Sequence, residues 1–386
     1  MLPRTLGLGG GIVLAVGSIA GSGILFLPST IYVIAGSDSL LVWLLSAGLC
    51  IPLLGVFAAL VRAVPDGSGL EGFVALGLGR RVSALVPGLL LIVFYPAMAA
   101  AMLVAGGYVS SDPVIRLAVA LTIIAVTTVA AVTGARGAAR LQTVVVWTTL
   151  AAAVALVALT WGDDYSAVRP TFSGVGAIAQ GVLVAFWGFA GFENMTFVAG
   201  ELRNPRRDYL IAVGIALGGY CVLAMALTAN IAATIPRGSV DQLSGVAQLA
   251  DYAPGGFVIS ILAVLLVQAG ASSWVWGISR LLFAAARDGR MPSFFATLSP
   301  RGVPRRAILS LTIPGACATC VAAVWPGLVL PFVTFASGVF VTLYALAVAS
   351  FIAVRRRAAR AERSPTPCPD RSPPGPQPAA GTTARS

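Results

Sequence analysis

The sequence predicts an all-α integral membrane protein of ten transmembrane helices, built as a five-plus-five inverted repeat in which helices 1 and 6 are broken. Three observations carry this expectation. The 386 residues are 58% hydrophobic and 10% charged, against about 25% charged in soluble domains, so the chain cannot cover itself with polar groups. Apolar runs of about 20 residues, the length a helix needs to cross a bilayer, recur along it. Two of them, five spans apart, carry glycine clusters near mid-membrane depth.

Span 1 covers residues 11–35 and is too long for the apolar region of a cleaved signal peptide, so it is expected to be retained. It holds Gly17, Ser18, Gly21, Ser22 and Gly23 within seven residues, followed by Pro28. Such a backbone unwinds at membrane depth only where it lines a cavity or is buried in protein. Spans 2 (40–61), 3 (84–109), 4 (113–133) and 5 (141–161) complete the first repeat, about 11–161. In span 3, Phe94, Ala97 and Met98 are expected to face inward, with no charge among them. Span 6 (175–200) carries Phe186, Trp187, Gly188, Phe189, Ala190, Gly191, Phe192 and Glu193, two glycines and an acid in an otherwise apolar run. It is the second expected break. Spans 7 (209–235), 8 (255–285), 9 (307–324) and 10 (328–354) close the second repeat, about 175–354. Cys317 and Cys320 in span 9 have CxxC spacing and are read as small packing residues. The transmembrane core is therefore 1–354. From Arg355 to Ser386 a basic stretch gives way to a proline-rich one that has nothing with which to build a core, so this tail is expected to be disordered, its basic part lying on anionic headgroups.

Arginine placement orients the spans, because positive loops stay cytoplasmic. With the amino terminus inside, only Arg116, Arg169 and Arg237 of the 25 basic residues fall outside. Both termini are thus expected in the cytoplasm, and the net charge of +11 reflects topology rather than nucleic-acid binding. The chain has no His, and every basic residue is Arg. That removes Schiff-base lysines, imidazole acid–base chemistry, His-bearing zinc sites and the lysine of a nucleotide-binding phosphate loop. An enzyme is not expected, nor a cofactor or a bound metal.

In secondary transporters substrate sits at the repeat interface, between half-helices whose amide ends attract a carboxylate and whose carbonyl ends attract a cation. Ser22, Gly23 and Ile24 open the second half of span 1 and form the expected carboxylate cradle. Carbonyls near Ile19 and Ala20, and near Phe186 and Trp187, are expected to face an ammonium. Glycine-rich stretches also serve close helix packing, which is the plainer alternative.

These motifs resemble the amino acid/polyamine/organocation (APC) transporter superfamily, whose members share the LeuT-like fold. Gly21, Ser22, Gly23 and Ile24 with Pro28 look like its first-helix signature. The run from Phe186 to Glu193, then Glu201 and the stretch from Asn204 to Asp208, resembles its sixth helix and following loop. Ser279 with Arg280, and Arg287 to Pro292, resemble the end of helix 8. Gly134 to Gly137 with Leu141 to Val144, and Ala336, Ser337, Gly338, Val339 and Phe340 with Tyr344, are similar to the bacterial L-methionine/branched-chain amino acid exporter branch. Relatives commonly have twelve helices, so the ten here place any oligomer contact of the last two in doubt. Where some relatives carry a helix 5 lysine, the stretch around Thr148 and Thr149 has none.

The resemblance implies a substrate site made of Ser18, Ile19, Ala20, Gly21, Ser22, Gly23, Ile24, Met98, Phe186, Trp187, Ala190, Gly191, Trp274 and Ser337. Within it Trp187 closes over the substrate and Trp274 lies beside the side chain. Glu193, the acid placed near the bilayer centre, is expected to sense protons or couple gating, because a charge there costs at least about 2.5 kcal/mol and usually serves a function. The alternative is a carboxyl that fixes the broken helix through backbone amides. A sodium site of helix 1 carbonyls with Ser272 and Ser273 is the lesser alternative to proton coupling. Charged loops after spans 6 and 8 are read either as an inner gate or as incidental ion pairs. Together these readings give an inner-membrane permease that exports neutral apolar amino acids by alternating access, an antiporter driven by protons. Its partners are the amino acid, the proton and the lipid bilayer, with the oligomeric state open. A shortened homologue acting as an amino-acid sensor or membrane interaction protein is the rival.

Overall fold

A computed structural model of the chain describes residues 7–363, apart from Ala20, 64–68, 134–137, Asp163, Ser173, Asn194 and 197–201. The described residues form α-helices and short 3-10 turns, with no strand element among them. The helices are α1 (Leu8–Ile19), α2 (Gly23–Ala35), α3 (Ser39–Ala63), α4 (Gly69–Leu78), α5 (Arg80–Ser83), α6 (Leu85–Gly107), α7 (Pro113–Thr133) and α8 (Ala138–Leu159). They continue with α9 (Val175–Phe189), α10 (Pro205–Thr234), α11 (Gly245–Ala250), α12 (Gly256–Arg287), α13 (Arg305–Val324) and α14 (Val329–Arg363).

Among the described residues, seven stretches are long and apolar enough to cross a membrane: Gly23–Ala63, Arg80–Gly107, Pro113–Thr133, Arg207–Thr234, Gly256–Arg287, Arg305–Val324 and Pro326–Arg360. The chain is a multi-pass membrane protein. Gly23–Ala63 is two helices, because Gly36 adopts φ +55° in the 3-10 turn between α2 and α3, a conformation that disfavours any side chain. Four further apolar helices are shorter: Leu8–Ile19, Gly69–Leu78, Thr143–Leu159 and Val175–Phe189. Two of these, α1 and α9, are short because the expected breaks cut them.

Buried residues run without interruption from Gly23 to Tyr32, so α2 is enclosed on all sides over its first ten residues. It packs against α9 and α10, and α9 packs in turn against α3. Around this centre α6 packs on α13 and α14, and α12 packs on α7 and α8. Hydrogen bonds join helices inside the bundle: Trp43 Nε1 on α3 donates to Thr228 Oγ1 on α10 at 2.9 Å, and Tyr108 OH donates to the Leu25 carbonyl at 2.7 Å.

Three sequence expectations change here. The last helix does not stop at residue 354 but continues to Arg363. The extension is Arg, Ala and Glu, all strong helix formers, so it needs no core to stay helical. Residues 364–386, the remainder of the expected disordered tail, lie outside the described set. The segment between spans 2 and 3, read as a loop, contains α4, which packs against α14. Cys317 and Cys320 are unbridged and exposed on α13, so they face outward rather than pack.

Candidate substrate site

Glycine and serine interrupt the first span as its composition dictates. α1 ends at Ile19 and α2 begins at Gly23. Between them tight turns replace helical bonds: Gly21 N–H donates to the Ile19 carbonyl at 2.7 Å and Leu25 N–H to the Ser22 carbonyl at 3.1 Å. Gly23 and Ile24 occupy the first turn of α2, where amides lack intrahelical acceptors and the helix dipole is positive.

The second interruption follows α9. Ala190 turns extended (φ −65°, ψ 143°) and Gly191 takes φ +121°, where an L side chain is strained. A methyl group on Gly191 would collide with the Ser18 backbone carbonyl, so the two breaks touch each other. Glu193, 4% exposed, holds this turn. Its Oε2 accepts Gly191 N–H at 2.9 Å and Tyr344 OH at 2.7 Å, the latter from α14. Its Oε1 is buried with no hydrogen-bond partner among the described residues. The carboxyl therefore does bond to a backbone amide of the break, as the plainer reading of Glu193 expected.

A cavity of about 100 Å³ opens between the breaks. Ser18, Ile19, Gly21, Ser22 and Gly23 line it from the first break, and Trp187 and Ala190 from the second. Its walls are the α6 face of Val93, Phe94, Ala97, Met98, Ala101 and Met102, the α12 face of Val267, Gly270, Ala271, Trp274 and Ile278, and Phe340 of α14. Among the described residues no charged side chain lines it; the polar side chains are the Ser18 and Ser22 hydroxyls and the two indoles. Trp187 packs edge-on against Phe26 with ring centroids 6.0 Å apart, and Trp274 against Phe340 at 5.8 Å. Such contacts fix the orientation of both indoles.

Of the residues expected here, Ser18, Ile19, Gly21, Ser22, Gly23, Met98, Trp187, Ala190 and Trp274 meet at this cavity. Ala20 lies outside the described residues. Ile24 does not line the cavity; it points to a second, apolar void of about 20 Å³ with Thr149 and Leu156. Phe186 is buried in the core, and its carbonyl accepts Ala190 N–H at 3.0 Å instead of standing open. Gly191 lies against Ser18 rather than on the cavity wall. Ser337 is buried, its hydroxyl bonded to the Val333 carbonyl of its own helix at 2.9 Å. Neither Ser272 nor Ser273 reaches the cavity. Ser272 Oγ donates to the Gln268 carbonyl at 2.9 Å and accepts Gln268 Nε2 at 3.2 Å. Phe340, Ile278 and Val267 were not anticipated as lining, although Phe340 stands within a recognised motif.

At the far end of α12 a buried acid, Glu71 of α4, pairs with Arg290, which also pairs with Asp288. Among the described residues, the loop after span 8 thus does form ion pairs, one to α4 and one within the loop. In the loop after span 6, Asp208 Oδ2 accepts Asn204 N–H at 3.1 Å, while Glu201 lies outside the described residues. Glu71→Ala is expected to lower stability by about 1–3 kcal/mol, because it leaves a largely buried guanidinium without its main acceptor. Thermal unfolding in detergent checks this; an unchanged midpoint would mark the pair as incidental.

Residues 6–374 match the family described as amino acid permease. The chain is 27% identical over 368 residues to the L-methionine/branched-chain amino acid exporter YjeH of Escherichia coli, covering 89% of this chain and 85% of that protein. It is also 27% identical over 302 residues to the uncharacterized amino acid permease YecA of Bacillus subtilis, covering 75% and 70%. An uncharacterized transporter of Mycobacterium tuberculosis is 29% identical over 324 residues, covering 80% and 72%.

Proposed function

This chain belongs to the amino acid permease family, and from that premise we propose that it is a secondary transporter exporting neutral apolar amino acids by alternating access. The observation that carries the reading is that both backbone breaks meet at one cavity that, among the described residues, has no charged side chain in its lining. A zwitterion there finds the amide end of α2 for its carboxylate, and the carbonyls ending α1 and α9 for its ammonium. The apolar α6 and α12 faces then take an uncharged side chain such as that of methionine, leucine or isoleucine. Among the described lining residues no acidic side chain is present to neutralise an arginine or a polyamine. Export rather than uptake is favoured by the likeness to the Escherichia coli L-methionine/branched-chain amino acid exporter.

The ten-span, five-plus-five arrangement is part of this proposal, and helix packing supports it. Exchanging the first set (α1 with α2, α3, α6, α7, α8) for the second (α9, α10, α12, α13, α14) turns observed contacts into other observed contacts. The pair α6–α14 becomes α12–α8, α6–α13 becomes α12–α7, α1–α10 becomes α9–α3, and α1–α8 becomes α9–α14. An inverted repeat requires this correspondence. With arginine-rich ends inward, both termini lie in the cytoplasm of a bacterial inner membrane. Access alternates as the central group of α1, α2, α3, α9 and α10 rocks against the α6, α7, α12 and α13 wall, with Trp187 closing over substrate. Protons drive it, with Glu193 Oε1 as the atom open to a proton.

Counterflow in proteoliposomes tests the reading. Labelled methionine, leucine and isoleucine are expected to exchange, and an imposed pH gradient, not a sodium gradient, is expected to drive net movement. No exchange of any neutral amino acid by folded protein would favour the sensor reading. Trp187→Ala is expected to raise KM about tenfold, a loss of about 1.4 kcal/mol of binding, measured as the concentration dependence of counterflow; an unaltered KM would make Trp187 a packing residue only.

A further inference from the structure

The glycine that sets the width of the cavity is not in the cavity. Gly315 lies on α13, directly behind Met98 of α6. A methyl group built on Gly315 would stand 2.6 Å from Met98 Sδ, 3.5 Å from its Cγ and 3.7 Å from its Cβ. The first of these is closer than carbon and sulfur can approach, so the thioether occupies the space that a side chain at 315 would take. Met98 itself is 4% exposed and lines the cavity from its other side.

A cross-helix hydrogen bond opposes the helices moving apart to make room. Pro314 lacks an N–H, so the Ser310 carbonyl one turn earlier loses its helical donor. Tyr95 OH, three residues before Met98, donates to that carbonyl at 3.1 Å. This bond ties α6 to α13 a little more than one turn before Gly315. A methionine side chain has three rotatable bonds, and with its backbone held, displacement sends it toward the open space in front of it. That space is the cavity.

We propose that Gly315 is a positioning residue for substrate selection, holding Met98 back so that the cavity admits long aliphatic side chains. This rests on the transport reading above and deepens it, because it assigns the side-chain size limit to a residue that touches no substrate. Gly315→Ala then narrows the cavity from behind and shifts preference toward short side chains.

The test is counterflow of labelled leucine, methionine and alanine by purified protein in liposomes, comparing wild type, Gly315→Ala, Met98→Ala and the double variant. In Gly315→Ala, KM for leucine and methionine is expected to rise at least fivefold while KM for alanine changes less than twofold. The double variant is expected to match Met98→Ala, because no thioether remains to be pushed. Equal changes for all three substrates, or a double variant as selective as Gly315→Ala, would overturn the proposal. If Gly315→Ala does not accumulate, the double variant decides: recovery of folded, active protein is expected, and failure of both would place the clash in the helix packing and overturn it. Wild type that moves no neutral amino acid would sink the transport reading as well, whereas an active wild type with unchanged selectivity in Gly315→Ala sinks this inference alone.

Discussion

Gly191→Ala is expected to abolish counterflow, with at least a tenfold loss in rate per reconstituted molecule. Two independent costs fall on the one methyl group. The backbone at 191 has φ +121°, a region that a side chain makes unfavourable by about 1–3 kcal/mol. The methyl would also meet the Ser18 carbonyl, a backbone atom with no rotamer to change. Relief requires the two breaks to separate, and they are the two ends of the cavity between which the substrate is proposed to sit. Gly17→Ala is the control. It lies in α1 with nothing within 4 Å of the added methyl, so transport should persist and the helix gain slightly from alanine. Counterflow and unfolding midpoints of both variants check the pair of expectations. Equal activity in Gly191→Ala would mean that the contact between the breaks is not needed for transport.

Both breaks are legible in the sequence because they violate local rules: glycines and serines clustered in span 1, and two glycines with an acid in span 6, are poor helix residues where no water can satisfy a freed backbone. The cavity walls were legible only in part. Phe94, Ala97, Met98 and Trp274 were found, but Val267, Ile278 and Phe340 were not. A helix that is apolar all round carries no periodicity to separate a face toward a cavity from a face toward lipid, because lipid is as apolar as the bundle interior. Two expected site residues, Phe186 from the half-helix argument and Ser337 from the resemblance, lie in the core. A one-residue step around a helix is enough to cause this. In α9 Trp187 reaches the cavity while Phe186 beside it packs inside. Glu71 escaped notice because α4 is ten residues long, too short to cross a membrane and therefore read as loop. Its partner Arg290 was visible, and only the tertiary structure joins them. Gly315 had no local signal whatever, since its role depends on a methionine more than two hundred residues earlier.

Glu193→Gln is expected to separate exchange from coupling. The carboxyl makes two bonds through one oxygen, to Gly191 N–H and to Tyr344 OH. A glutamine amide oxygen can accept both, so the turn and the cavity should survive and counterflow at equal pH should stay within about twofold of wild type, a difference of at most about 0.4 kcal/mol. What glutamine cannot do is gain or lose a proton at the position of Oε1. Net movement driven by a pH gradient should therefore disappear while exchange continues. Glu193→Ala differs in kind, because it strands a buried amide and a buried phenol; a hydrogen bond to a charged group contributes about 1.5–3 kcal/mol, so both stability and exchange should fall. Three outcomes discriminate. Retained pH-driven movement in Glu193→Gln would reduce the residue to a brace for the break, and loss of exchange in both variants would mean that glutamine cannot keep the turn. Loss of pH response alone makes Glu193 the site where proton movement meets the second break. The two bonds at Oε2 then provide the physical link, since any change at the carboxyl acts directly on the Gly191 amide and, through Tyr344, on α14.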